Sequence, residues 1–282
     1  MKRRRWRSAR RRGVGMQTLV CGALVVAALC GTVPAAVAAY GAREILDARR
    51  NLYTTVYAWS DQHEVLRVTI VDAQAREQER LVELYERRYR DGARKVLLTF
   101  LAPDNLRGTA VLSQERAQGS PERWLYLPRQ KRARRFAGQM HDEGLMGTDL
   151  TPGELDLMRE TLTWSAVDVR ATLRGPEHVQ DAEAYGLEVA KPKGYQRIVL
   201  WIGTGDLVMR QLELYGAEAV MVKRIRQSDV RFVGSVAVPS RIEVENPAAG
   251  TRSVFEVVEV QFDGGFPDDV FSLPLLASPN KE

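Results

Sequence analysis

Cysteine is almost missing from this sequence of 282 residues: Cys21 and Cys30 are the only two, and both lie within the first forty positions. Beyond them no thiolate can bind a metal, attack a substrate or close a disulfide. Histidine is nearly as scarce. His63, His141 and His178 are far apart in sequence, and none forms the His-x-x-x-His pair that places two imidazoles on one helical face. His141-Asp142-Glu143 is the sole cluster of metal-capable side chains, and a solvated loop is its plainer reading. There is no Gly-x-Ser-x-Gly elbow for a nucleophilic serine. Gly203-x-Gly205 reads as a hairpin turn rather than a phosphate loop. Carboxylates such as Asp149, Glu154 and Asp156 are plentiful, but spacing alone does not pair them for acid–base work. No repeat and no low-complexity linker divides the chain. The expectation is a protein that is not an enzyme and needs no cofactor.

Charge of one sign dominates the beginning. Residues 2–12 hold eight basic side chains (Lys2, Arg3, Arg4, Arg5, Arg7, Arg10, Arg11, Arg12) and no acid. An uncharged run from Val14 to Val33 follows, then Pro34 and Ala35-Ala36-Val37-Ala38-Ala39. Basic, apolar and Ala-x-Ala segments in that order predict a secretory signal peptide over residues 1–38, cleaved after Ala38. A retained membrane anchor is the alternative, because a span needs roughly 20 apolar residues and the run is just long enough. Lipidation of Cys21 or Cys30 would require a small residue before the cysteine, and Val20 and Leu29 stand there. The export route stays open.

Removing the leader changes the charge reading. The chain has 41 basic and 36 acidic residues; losing eight basic ones and no acid leaves 33 against 36, a net −3. The basic character therefore belongs to the leader, and nucleic-acid binding is not expected. Residues 39–282 are read as one exported domain, large enough to build a core without disulfides.

Apolar periodicity makes that domain mainly β. Arg43 to Trp59 reads as a helix, with Ile45, Leu46, Leu52, Tyr53 and Val56 near helical spacing. His63 to Val71 alternates and predicts a strand. Residues 76–90 fit helix or strand, and Asp91-Gly92 favours a two-residue hairpin between them and Lys95–Leu101. Further strands are expected over 109–114, 123–127, 166–173 (stopping at Gly175-Pro176), 196–202, 207–215, 220–227, 240–245 and 253–262. About 10–11 strands at this spacing suggest one large antiparallel sheet or barrel. Thr151-Pro152-Gly153-Glu154 is a capping box with proline at the first helical position, and predicts a short helix to about Met158, a candidate lid.

Candidate binding residues concentrate between Trp124 and Asp156. Trp124 and Tyr126 share a strand face and read either as core or as ligand contacts. If 130–137 is a strand, Lys131 and Arg135 face one way and Arg132 and Arg134 the other; neither pair can be buried alone. They need water, carboxylates such as Asp149 and Glu154, or an anionic ligand.

The same segment carries a resemblance. Trp124-Leu125-Tyr126-Leu127-Pro128, the basic stretch ending in Arg134-Arg135, and Met146-Gly147-Thr148-Asp149 resemble the motif of the LolA-like outer-membrane lipoprotein-sorting family. Phe100-Leu101-Ala102-Pro103 and Arg107-Gly108-Thr109-Ala110 look like its upstream block, and the region from Leu212 to Phe271 is similar in rhythm. Leu145 departs from the pattern, standing where an aromatic is expected. The resemblance implies a half-open, strongly curved antiparallel β-barrel with helices at its mouth, holding acyl chains in an apolar interior. On that reading Trp124, Tyr126, Arg132, Arg134, Arg135 and Met146 are candidates for contact with lipid or a partner. It also implies a periplasmic carrier of lipoprotein acyl chains or lipid towards the outer membrane, beside an inner-membrane lipid exporter. The alternative of the same fold is a sensor or adaptor that binds a membrane-protein partner under lipid control. A hydrolase acting through Asp149 and Glu154 is the third and weakest reading.

Overall fold

The computed structural model describes residues 41–116, 121–135, 144–190 and 194–272. The expected signal peptide and its cleavage site, and His141-Asp142-Glu143, lie outside the described residues, as does the side chain of Met146.

The described residues open with α1 (Ala42–Asn51), which continues into a π-helical turn at Leu52–Val56. A first meander follows: β1 (Asp61–Val71), β2 (Glu77–Arg88), β3 (Arg94–Ala102), β4 (Ala110–Glu115), β5 (Glu122–Leu127) and β6 (Arg132–Arg135). After α2 (Pro152–Thr161) a second meander runs through β7 (Ala171–Val179), β8 (Ala182–Ala190), β9 (Arg197–Gly203) and β10 (Met209–Tyr215). It ends with β11 (Met221–Val233), β12 (Val236–Asn246) and β13 (Thr251–Phe262). The thirteen strands form one sheet in the order β6-β5-β4-β3-β2-β1-β13-β12-β11-β10-β9-β8-β7. Every pairing joins sequence neighbours except β1 with β13, which meet in mid-sheet and join the two meanders. The edges are β6 and β7, so the chain between them, including α2, must travel from one edge of the curved sheet to the other.

Strand alternation gives this sheet two unlike faces. The inner face is apolar and packs on both helices. Ile45 and Leu46 of α1 and Leu157 and Met158 of α2 share a core with Val68, Val82, Phe100, Leu187, Leu200, Leu212, Ile225, Val244 and Phe255. The outer face is laid with ion pairs. One chain of contacts runs Glu79–Arg67–Glu256–Arg241–Glu243–Arg226–Glu245–Arg224 across five strands. Such half-exposed pairs are individually weak, and their consequence is to keep that face in water. Part of the outer face is covered by the C-terminal segment, where buried Phe271 packs with Leu97, Leu112 and Tyr126. Phe266 lies edge-on to Tyr85, ring centres 5.2 Å apart.

Four sequence expectations need correction. Among the described residues the sheet has thirteen strands rather than about 10–11. Gly175-Pro176 does not stop a strand: β7 continues through it, with a bulge between Arg174 and Pro176. Proline is tolerated there because β7 is an edge strand, where a missing N–H costs no ladder bond. Residues 166–170 are not a strand but a turn and loop, Asp168 accepting from the backbone and hydroxyl of Ser165 at 2.9 and 2.6 Å. The fourth correction is the β2–β3 hairpin. The Tyr89 N–H donates to the Ala93 carbonyl, so Arg90-Asp91-Gly92 make a three-residue loop, with Gly92 at positive φ.

Candidate functional site

An apolar hollow lies between α2 and the inner face of β2–β5. Its volume is about 140 Å³. Leu84 of β2, Val96 and Leu98 of β3, and Val111 and Ser113 of β4 form its floor, and Pro152 and Leu155 of α2 its roof. Leu145, from a 3-10 turn at Leu145–Gly147, closes one side and also touches the main core. The aromatic expected at that position is thus replaced by a smaller residue in the cavity wall.

Helix α2 is held over this cavity at both ends. At its start Thr151 and Glu154 cap each other: the Glu154 N–H donates to Thr151 Oγ1 at 3.2 Å and the Thr151 N–H to Glu154 Oε2 at 2.8 Å. The other carboxylate oxygen of Glu154 accepts from the Tyr195 hydroxyl at 3.3 Å and lies 3.9 Å from Lys223 Nζ. Partial burial, and then the Glu154 carboxylate beside it, push the half-buried Tyr195 phenol well above its ordinary range. Near the other end, Arg159 lies 3.6 Å from Glu86 on β2. Buried Arg49 of α1 donates to the backbone carbonyl of Thr161.

Charge gathers at one end of the cavity. Glu86 is 4% exposed and takes Arg88 at 3.2 Å, Arg159 at 3.6 Å and Arg94 at 3.7 Å. Burial alone would raise its carboxyl, but the three guanidiniums hold it below the usual range. Arg94 also grips Glu115 at 2.6 Å. Beyond this cluster lies a larger hollow of about 380 Å³, bordered by Tyr53, Trp59, Glu64, Arg88, Arg94 and Arg159. Leu162, Val236, Val238, Pro239 and Phe262 line it as well, so its walls mix apolar side chains with charged ones. Glu64 faces it, and burial, aided by the charge of Glu86, pushes the Glu64 carboxyl up to about 7.

The residues singled out from sequence divide between the two faces. Arg123 lines the cavity, so Trp124 and Tyr126, its alternates on β5, point outward. Tyr126 is buried in the outer-face cluster under Phe271, and Trp124 packs beside it. Arg135 opposes Trp124 and donates to Glu122 at 3.0 Å, also on the outer face. Arg134 and Arg132 oppose Leu125 and Leu127 and therefore share the cavity's face, both exposed. Lys131 is at a left-handed turn position before β6 rather than within the strand. The backbone of Met146 lies in the 3-10 turn beside the cavity. Asp149, 7 positions from Asp156 in the chain, is tied to β13, accepting from the hydroxyls of Thr251 and Ser253. Its carboxylate oxygens are taken by those hydroxyls, whereas the Glu154 carboxylate accepts from the Thr151 N–H and the Tyr195 hydroxyl. Sequence reasoning missed the cavity lining itself: Leu84, Val96, Leu98, Val111 and Leu155 look like any core residues until the sheet's curvature leaves space above them.

Among the described residues no group of three or more His, Cys, Asp or Glu is placed to hold a metal ion. No helix among them is long and apolar enough to cross a membrane.

An open, curved antiparallel sheet with two helices against its inner face is the LolA-like fold. Residues 92–278 match a family model described as "Uncharacterized protein", and the chain belongs to that family. A domain described as outer membrane lipoprotein-sorting from Vibrio parahaemolyticus superposes with a TM-score of 0.68 at 20% identity, over 83% of this chain and 97% of that one. A DUF1329 family protein from Desulfovibrio piger gives 0.68 at 22% identity, over 82% and 98%. A LolA superfamily protein from Nitrosomonas europaea gives 0.58 at 17% identity, over 84% and 99%. No curated protein matches the chain.

Proposed function

We propose that the protein is a periplasmic carrier that takes up acyl chains of lipoprotein or lipid in the cavity under α2. It passes them towards the outer membrane, beside an inner-membrane exporter. The observation that carries this reading is the apolar hollow walled by Leu84, Val96, Leu98, Val111 and Leu155. The fold is shared with a domain described as lipoprotein-sorting, which supports the same direction.

Magnitudes limit what the hollow does alone. A dry cavity of roughly 150 Å³ accepts one benzene, so about six carbons of a chain fit, with the rest along the open mouth. Burying about six methylenes at about 0.8 kcal/mol each gives about 5 kcal/mol. Association costs at least about 4 kcal/mol in lost freedom. Chain burial in this volume therefore yields weak binding, and polar contacts at the mouth must add to it.

The test is extraction of the purified protein with organic solvent, together with uptake of fluorescent fatty-acyl ligands and their transfer between vesicles. Bound lipid and transfer are expected. Neither co-purifying lipid nor uptake would end the carrier reading. A stable membrane-protein partner without lipid transfer would favour the sensor or adaptor of the same fold.

A further inference from the structure

The rim of the cavity toward β5 and β6 carries arginines that have no carboxylate partner among the described residues. Cross-strand register identifies them. Arg123 lines the cavity, and Leu125 and Leu127 follow on its face at alternate positions. Arg134 opposes Leu125 and Arg132 opposes Leu127, and directly opposed residues of an antiparallel pair point to the same side. Arg134 is thus the diagonal neighbour of Arg123, with Cβ atoms roughly 7–8 Å apart, well within reach for two guanidiniums to meet one anion. On the other flank, Ser113 directly opposes Arg123. Its Oγ is shut off from solvent and has no hydrogen-bond partner among the described residues.

Among the described residues, none of Arg123, Arg132 and Arg134 meets a carboxylate. Neighbours in the same region behave differently. Arg94, also facing inward, is bound by Glu115 at 2.6 Å, and Arg135, facing outward, by Glu122 at 3.0 Å. The cavity therefore has one end where charge is already neutralised and one rim where positive charge and a hydroxyl stand ready beside an apolar hole.

We propose that Ser113, Arg123 and Arg134 form a recognition site for the phosphate of a lipid headgroup whose chain end lies in the cavity. Arg132 adds positive charge further along the rim. This rests on the carrier reading and specifies its cargo as an anionic, phosphate-bearing lipid. The guanidinium fork matches phosphate oxygens in pairs, and a serine hydroxyl supplies a third donor. These are the polar contacts that the small apolar volume lacks.

Three lipids with the same fluorescent chain separate this site from the cavity: one with a phosphate monoester headgroup, one with phosphocholine and one with uncharged glycerol. Titrated into the full chain, the phosphate monoester lipid is expected to bind about 10-fold tighter than the glycerol lipid, the advantage shrinking as salt is raised. The double variant R123Q/R134Q should bring the two within about twofold, whereas R135Q, on the outer face, should keep the preference. Circular dichroism and thermal melting confirm that each variant is folded. Equal binding of the two lipids by the unaltered protein, or a preference surviving in R123Q/R134Q, would overturn the headgroup site and leave the carrier reading standing. Uptake of none of the three overturns both. Free inorganic phosphate that binds as tightly as the phosphate lipid would assign the site to a soluble anion and overturn the lipid assignment.

Discussion

Ser253 and Asp149 hold each other by two hydrogen bonds: the Asp149 N–H donates to Ser253 Oγ at 2.8 Å, and that hydroxyl donates to Asp149 Oδ2 at 2.7 Å. Ser253 is fully buried on β13, and Asp149 ends the loop that leads into α2. Lys223 of β11 adds a hydrogen bond to the Asp149 carbonyl. Asp149 thereby latches the loop before α2 to the sheet. Ser253→Ala leaves a buried N–H and carboxylate oxygen short of a partner, and should cost about 1–3 kcal/mol in denaturant unfolding. Asp149→Asn should likewise lower stability while ligand uptake persists in the folded variant. A folded Asp149→Asn protein that had lost a hydrolytic turnover would revive the enzyme reading.

Filling the cavity separates the two faces of β4 and β5. Val111→Phe places extra carbons where the ligand chain is expected, and fluorescent acyl uptake should fall about tenfold or more, as displacement of two or more buried methylenes requires. Trp124→Ala removes an outer-face contact and should cost about 2 kcal/mol of stability with uptake preserved. Uptake that survived Val111→Phe and vanished in a folded Trp124→Ala would place the ligand on the other face.

Glu64 makes a pH prediction whose sign is fixed. Its carboxyl is raised from 4.5 to about 7 in the folded protein. The stability associated with its protonated form is fully present below pH about 4.5 and is lost as pH rises through about 7. With partial exposure allowed for, the loss is about 1–2 kcal/mol between pH 5 and 8. Glu64→Gln should be more stable than the unaltered protein at pH 8 and close to it at pH 5. Melting curves at the two pH values check this, and an equal effect at both would contradict it.

Arg49 is 1% exposed and has no carboxylate partner among the described residues. It donates to the carbonyls of Leu207, at 3.2 Å, and Thr161, joining α1, the β9–β10 turn and the end of α2. Arg49→Leu keeps apolar bulk but orphans those carbonyls, and should destabilise by about 2–4 kcal/mol in chemical unfolding. A loss under about half a kcal/mol would show that water replaces the guanidinium there.

Local chemistry made the capping box legible from four residues, because Thr151 and Glu154 need only each other. Alternation likewise exposed β1, and apolar runs bounded by turn residues exposed β3 and β13. What stayed hidden depends on position in the sheet. Ala182–Ala190 is mixed in pattern because Leu187 and Val189 meet the inner core while Ala184 joins a smaller outer cluster. Pro176 reads as a breaker unless β7 is known to be an edge. The outward placement of Trp124 and Tyr126 follows from which face α2 covers, and that is decided by residues far away in the chain, as with Ser253 and Asp149.

With its first turn moored to Tyr195 and Lys223 and its last to Glu86 and Arg49, α2 is a fixed roof beam rather than a trapdoor. On the carrier reading proposed above, guests would enter sideways past β6, where Arg134 and Arg132 are exposed. A disulfide engineered between α2 and the strands beneath its anchored start should therefore leave lipid exchange rates unchanged. Exchange that stops on oxidation and returns on reduction would show that the beam lifts after all.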